Sequence, residues 1–167
     1  GARPGDLLCT TGSLGGAGGG LYAWQEERLD SPLIEKLLEP EPRLAEGRAL
    51  AKSGSVTAMM DSSDGLALSL SDLSAASRVG FVVYEERLPL AEGLEEMVGR
   101  DRAVEMALGA GGDFELVYTV GREKLEAARQ ACQLTVIGEV VKEGIWMERD
   151  GERMRLEAKG YEHMIGI

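Results

Sequence analysis

The residue types with the most chemical potential fall in one short run, Asp61-Ser62-Ser63-Asp64-Gly65. Carboxylate oxygens are hard ligands suited to magnesium, and the backbone N–H groups that open a helix are donors for a phosphate. A metal and nucleotide contact is therefore one reading of the run. Turn chemistry is the other, because Asp64 as an N-cap and Asp61 as a turn former use the same residue types. Either way the run needs an element on each side. Residues 56–60 read as a buried β-strand, and Leu66, Leu70 and Leu73 recur at helical spacing, predicting a helix over residues 65–77. The acidic run is the turn between them.

A second candidate is the glycine-rich stretch Thr11-Gly12-Ser13-Leu14-Gly15-Gly16-Ala17-Gly18-Gly19-Gly20. It reads as a turn between a strand over residues 7–11 and a helix opening near Leu21. Such a turn can cradle phosphate through its backbone N–H groups. It lacks the Lys and the spacing of a P-loop, and close helix packing accounts for the glycines equally well.

The remaining pattern alternates helices and strands. Ser31-Pro32 starts a helix reaching Leu38, Pro40 ends it, and a second helix runs over residues 41–52 before Ser53-Gly54. Further strands are expected over residues 81–84, 115–120, 135–141, 145–149 and 153–156, and helices over 94–98, 101–108 and 122–132. Met97, Val104 and Met106 read as core, and Asp150-Gly151 marks a hairpin turn. The interleaving predicts an α+β fold, a mixed β-sheet packed with helices, in a single domain over residues 1–167.

Composition narrows the function classes. With 18 basic and 29 acidic residues the net charge is -11, which disfavours nucleic acid and anionic membrane surfaces as partners. No apolar run approaches the ~20 residues that span a bilayer. The single His163 removes His-cluster metal sites, so carboxylates must carry any metal chemistry. Cys9 and Cys132 read as small hydrophobes in a reducing, cytoplasmic setting.

Several segments, in order, resemble the carboxy-terminal domain of the thiamine-monophosphate kinases, relatives of aminoimidazole ribonucleotide synthetase. They are Gly1-Ala2-Arg3-Pro4-Gly5-Asp6, Thr11-Gly12-Ser13-Leu14-Gly15, Pro42-Arg43-Leu44, Asp61-Ser62-Ser63-Asp64-Gly65-Leu66-Ala67, Gly111-Gly112-Asp113-Phe114-Glu115-Leu116 and Lys159-Gly160-Tyr161-Glu162-His163-Met164. Each is weak alone; their order and spacing carry the likeness. The last of them favours the thiamine kinase branch over the hydrogenase maturation and selenophosphate synthetase branches.

The resemblance implies transfer of a phosphoryl group from ATP to thiamine monophosphate with Mg2+, giving thiamine diphosphate. Asp61 and Asp64 are then expected to bind magnesium and Ser63 the nucleotide. Tyr161 matches a substrate-stacking aromatic, beside which His163 is a neighbour rather than a catalyst. Gly112 stands where the family usually has a substrate-contacting Glu, and Asp113 is the candidate to replace it with a shorter reach. An amino-terminal ATP and magnesium domain, which also forms a homodimer, is expected to precede Gly1, so this chain is expected to fold alone without turning over. Two other readings stay open: a related ATP-dependent synthetase or maturation enzyme acting on another small substrate, and a non-catalytic binding module of the same fold.

Overall fold

A computed structural model describes residues 1–157. Its strands are β1 (Leu7–Thr10), β2 (Val56–Asp61), β3 (Gly80–Tyr84), β4 (Leu116–Val120), β5 (Thr135–Val141), β6 (Ile145–Arg149) and β7 (Glu152–Arg155). They form one seven-stranded sheet in the order β2-β4-β1-β5-β3-β6-β7. The β3/β6 pair is parallel and the other pairs are antiparallel, so the sheet is mixed as expected. Following the pairings, β1, β2, β3 and β6 all run the same way. Their carboxyl ends share one edge, which brings Thr11 and Asp61 to the same side of the molecule.

The helices are α1 (Gly16–Gln25), α2 (Leu33–Leu38), α3 (Leu44–Ser53), α4 (Leu66–Ser77), α5 (Leu94–Val98), α6 (Arg100–Gly109) and α7 (Leu125–Ala131). Alternation along the strands divides the core. Leu8 and Val117 point to one face with Leu66, Leu70 and Leu73 of α4, Phe81, Val83 and Ile137. Leu7, Cys9, Tyr118 and Val120 point to the other, against Leu50 of α3 and Ala128 of α7. A period of two thus gives both faces of the central strands an apolar cover. Each fully buried Leu or Phe contributes roughly 1.5–3 kcal/mol by leaving water. A smaller cluster of Leu33, Ala91, Leu94 and Ala103 fastens α2 and α5 to α6.

Three elements differ from the sequence reading. β2 is only half-buried, because it lies at the sheet edge with β4 as its one strand neighbour. The glycine stretch is not a long turn: α1 begins at Gly16 and carries Gly18, Gly19 and Gly20 inside it. A Cβ at Gly20 would lie 2.3 Å from the Leu33 carbonyl oxygen, and one at Gly19 would lie 2.7 Å from Leu94 Cδ1. Close approach to α2 and α5 outweighs the poor helix propensity of glycine, about 1 kcal/mol per residue. The helix expected over 122–132 opens as a 3-10 turn, Arg122–Lys124, before α7. Cys132 falls just past the end of α7 and is half-buried, while Cys9 is fully buried and unpaired, its thiol pushed by desolvation up to about 12. Such a thiol is inert at neutral pH.

No described helix is long and apolar enough to cross a membrane.

Candidate functional site

The acidic turn leaves β2 at the shared edge and enters α4. Asp61 and Asp64 are exposed, Ser63 is half-buried, and Ser62 is buried with its Oγ lacking a hydrogen-bond partner among the described residues. Gly65 has φ +98 and ψ 153, a conformation that turns the chain directly into α4. A Cβ there would lie 3.1 Å from the backbone of Leu108 and Gly109, so glycine is required twice over. Ser69 Oγ closes the first turn of α4 by donating to the carbonyls of Gly65 at 3.0 Å and Asp61 at 3.2 Å. Among the described residues, neither the Asp61 nor the Asp64 carboxylate accepts a hydrogen bond or forms an ion pair.

The loop over residues 111–115 holds this turn in place. The Gly112 N–H donates to the Ser63 carbonyl at 2.8 Å, and the Ser62 N–H donates to the Glu115 carbonyl at 2.8 Å. On either side of Phe114 the loop is clamped by a carboxylate. Asp113 accepts from the Gly15 N–H at 2.6 Å and the Ala17 N–H at 2.9 Å, capping α1 from a distant part of the chain. Burial pushes its carboxyl above the ordinary range, against the lowering effect of those backbone donors. Glu115, 4% exposed, takes a bidentate fork from Arg43, Nε at 2.8 Å and a terminal nitrogen at 2.9 Å, together with the Thr11 hydroxyl at 2.6 Å. The hydrogen bond to Glu115 holds the Arg43 guanidinium more firmly protonated than usual. Thr11 Oγ1 also accepts from the Leu116 N–H at 2.9 Å.

Beside the turn is a cleft of about 410 Å³ lined by Ala17, Gly18, Leu21, Leu37, Ala110 and Phe114 along its apolar walls and by Ser63 and Asp64 at its polar side. Gly111 and Gly112 form part of the same wall.

The fold thus brings Asp61, Ser63, Asp64, Gly112 and Asp113 into one neighbourhood. The Asp113 carboxylate is already engaged with α1, so the first backbone donors of the glycine-rich stretch hold a protein carboxylate where the sequence allowed a phosphate. Gly112 has φ +96, and a Cβ there would meet the Cβ of Ala17 at 3.1 Å. Tyr161 and His163 lie outside the described residues. Sequence reasoning did not assign the Arg43–Glu115–Thr11 strut. Its only trace was the presence of Thr11, Arg43 and Glu115 in three of the family-like segments, since the meeting of Arg43 with Glu115 depends on a contact 72 residues apart.

The donor set limits what the turn can hold. Among the described residues no group of three or more His, Cys, Asp or Glu is placed to hold a metal ion. Two exposed carboxylates supply part of an octahedral oxygen shell, and the remainder must come from phosphate oxygens, water or other protein ligands. That suits a metal arriving with a nucleotide better than a permanently caged one.

The family described as AIR synthase related protein, C-terminal domain, matches residues 3–146. A thiamine-monophosphate kinase of Methanospirillum hungatei is 42% identical over 163 residues, covering 98% of this chain and 51% of the relative. One from Pyrococcus abyssi is 36% identical, covering 99% of this chain and 52% of its own length. The solved complex of AaThiL with AMPPCP and TMP is 31% identical, with a TM-score of 0.82 over 98% of this chain and 53% of that one. The chain spans about half the length of the curated relatives it matches.

Proposed function

Because the chain belongs to the AIR synthase related protein family, matching its C-terminal domain, we propose that it forms the acceptor-side half of a thiamine-monophosphate kinase. The observation that carries the reading is the exposed pair Asp61 and Asp64, without side-chain partners among the described residues, on a turn that two backbone hydrogen bonds lock against residues 111–115. The relative solved with AMPPCP and TMP supports a nucleotide and a thiamine phosphate as the two ligands. In this proposal a preceding domain supplies the rest of the ATP and magnesium site and the homodimer contact, and the enzyme works in the cytoplasm.

Asp61 and Asp64 are the residues proposed to hold Mg2+, which when bound neutralises and orients phosphate oxygens. Ser63 presents its hydroxyl to the nucleotide. The acceptor is a phosphate oxygen already ionised at neutral pH, so the site needs no general base, in keeping with a chain whose one histidine is His163. Positioning is then the main task of the protein in phosphoryl transfer. The locked turn, the Asp113 cap and the Glu115 strut supply it by holding Asp61 to Asp64 on a turn whose Ser62 N–H and Ser63 carbonyl are bonded to the Glu115 carbonyl and the Gly112 N–H. Tyr161 is proposed to stack on the substrate, and Gly112 and Asp113 to border it.

One observation favours a second reading, a divergent acceptor on the same scaffold. Gly112 adopts a left-handed φ, and a Glu at this position would be strained and crowd Ala17. Incubating the full-length protein that carries this chain with ATP, Mg2+ and thiamine monophosphate tests both. Thiamine diphosphate is expected. An ATP-binding protein that forms none would overturn the kinase reading and favour the divergent acceptor.

A further inference from the structure

Phe114 is the anomaly of the site. It is 43% exposed, belongs to none of the apolar clusters of the described residues, and has φ +54, a left-handed conformation that bulky side chains avoid. Exposure of an aromatic ring and a left-handed backbone both cost stability, and neither serves the core. The structure enforces them from both sides. Asp113 is held by the backbone of α1 and Glu115 by Arg43 and Thr11, so the residue between them has little freedom to relax. Strain maintained in this way is typical of residues that act on a ligand.

The ring's surroundings indicate what that ligand is. Phe114 lines the cleft with Leu21, itself 44% exposed, while Ser63 and Asp64 border the same space. An apolar wall therefore meets a carboxylate and a hydroxyl within about 410 Å³, room for one small ligand. A flat, cationic heteroaromatic ring satisfies each part. Its face stacks on Phe114, its charge is favoured by the ring quadrupole, and a phosphate attached to it reaches toward the acidic turn.

We propose that Phe114 is a stacking platform, additional to Tyr161, for the heteroaromatic ring of the acceptor substrate, held in a strained, ring-out conformation by the Asp113 and Glu115 clamps on either side of it. This rests on the kinase reading above and adds to it a binding residue and the means of its preorganisation.

The test uses the full-length protein and the variants Phe114→Gly and Phe114→Tyr, with thiamine monophosphate and ATP as probes. Glycine adopts a positive φ freely, so F114G is expected to melt no lower than wild type. It should nevertheless raise the KM for thiamine monophosphate about ten-fold, the scale of losing one aromatic stack, and leave the KM for ATP unchanged. F114Y keeps the ring and should retain the wild-type KM. A purely structural Phe114 would give the opposite pattern, a lower melting temperature with an unchanged acceptor KM, and that result overturns the proposal. A rise confined to the ATP KM overturns it as well. If wild type binds thiamine monophosphate in calorimetry without phosphorylating it, the kinase reading alone fails. A ten-fold weaker Kd in F114G then still supports the platform, and an unchanged Kd overturns it. Absence of binding by wild type overturns both.

Discussion

Arg43→Met should be among the most damaging single changes outside the apolar core. The Glu115 carboxylate is 6% exposed at its side chain and Arg43 14%, so the pair is largely removed from water. Replacing Arg43 removes two charge-assisted hydrogen bonds, at 2.8 and 2.9 Å, and leaves the carboxylate with the Thr11 hydroxyl alone. Stranding one partner of a buried pair costs about 3–5 kcal/mol, most of it the desolvation of the remaining charge. For a chain of this size each kcal/mol shifts the melting temperature by about 2–4 °C, giving a fall of roughly 6–20 °C. The intact pair itself adds little, because its attraction is largely offset by the cost of burying both ions. The double variant R43M/E115M should therefore be more stable than R43M. Urea denaturation of wild type, both single variants and the double completes the cycle, read as midpoint shifts at constant m. Amide exchange adds a local probe, since the Ser62 N–H donates to the Glu115 carbonyl and should exchange faster in R43M. A loss below about 1 kcal/mol in R43M, or a double variant whose loss equals the sum of the singles, would refute the strut as the device that fixes the acidic turn.

Three further outcomes follow from the same geometry. Asp113→Ala uncaps α1 and should cost about 0.5–2 kcal/mol at neutral pH. Because burial raises the folded-state pKa of Asp113 above its unfolded value, its titration favours the wild type at low pH. That contribution is full below the unfolded value near ~4 and lost as pH rises through the folded one, so the gap to D113A should widen on acidification in paired denaturation curves. Gly20→Ala gains about 1 kcal/mol of helix propensity but must push α1 off the Leu33 carbonyl, which lies 2.3 Å from the added Cβ. Overpacking of about 1–3 kcal/mol or more should win, and a higher melting temperature in G20A would contradict the close approach. Ser62→Ala removes a buried hydroxyl that has no partner among the described residues and should be neutral or stabilising by up to about 1 kcal/mol. A clear destabilisation in thermal melts would show that the hydroxyl is bonded after all.

The elements were legible where local physics decides them. Leu66, Leu70 and Leu73 bury along one side of α4 as their spacing predicts, and Asp150-Gly151 forms the β6–β7 hairpin with φ +51 and +81. The acidic turn was legible for the same reason, since a strand, a helix and the residues between them are neighbours in sequence. The glycine stretch was misread in extent because glycine signals a turn locally. What turns residues 16–20 into a helix is the nearness of Leu33 and Leu94, which no window of the sequence contains.

The sequence by itself determined the α+β class, the place of Asp61 and Asp64 on a strand-to-helix turn and the likeness to a kinase family, because patterning and residue type act over a few positions. Tertiary structure alone decided three other matters. It placed β2 at a sheet edge, gave the α1 backbone donors to Asp113, and joined Arg43 to Glu115 across 72 residues to hold Phe114 outward. Each is a contact between segments far apart in the chain. Their energy comes from desolvated charge and close packing, which exist only once the segments have met.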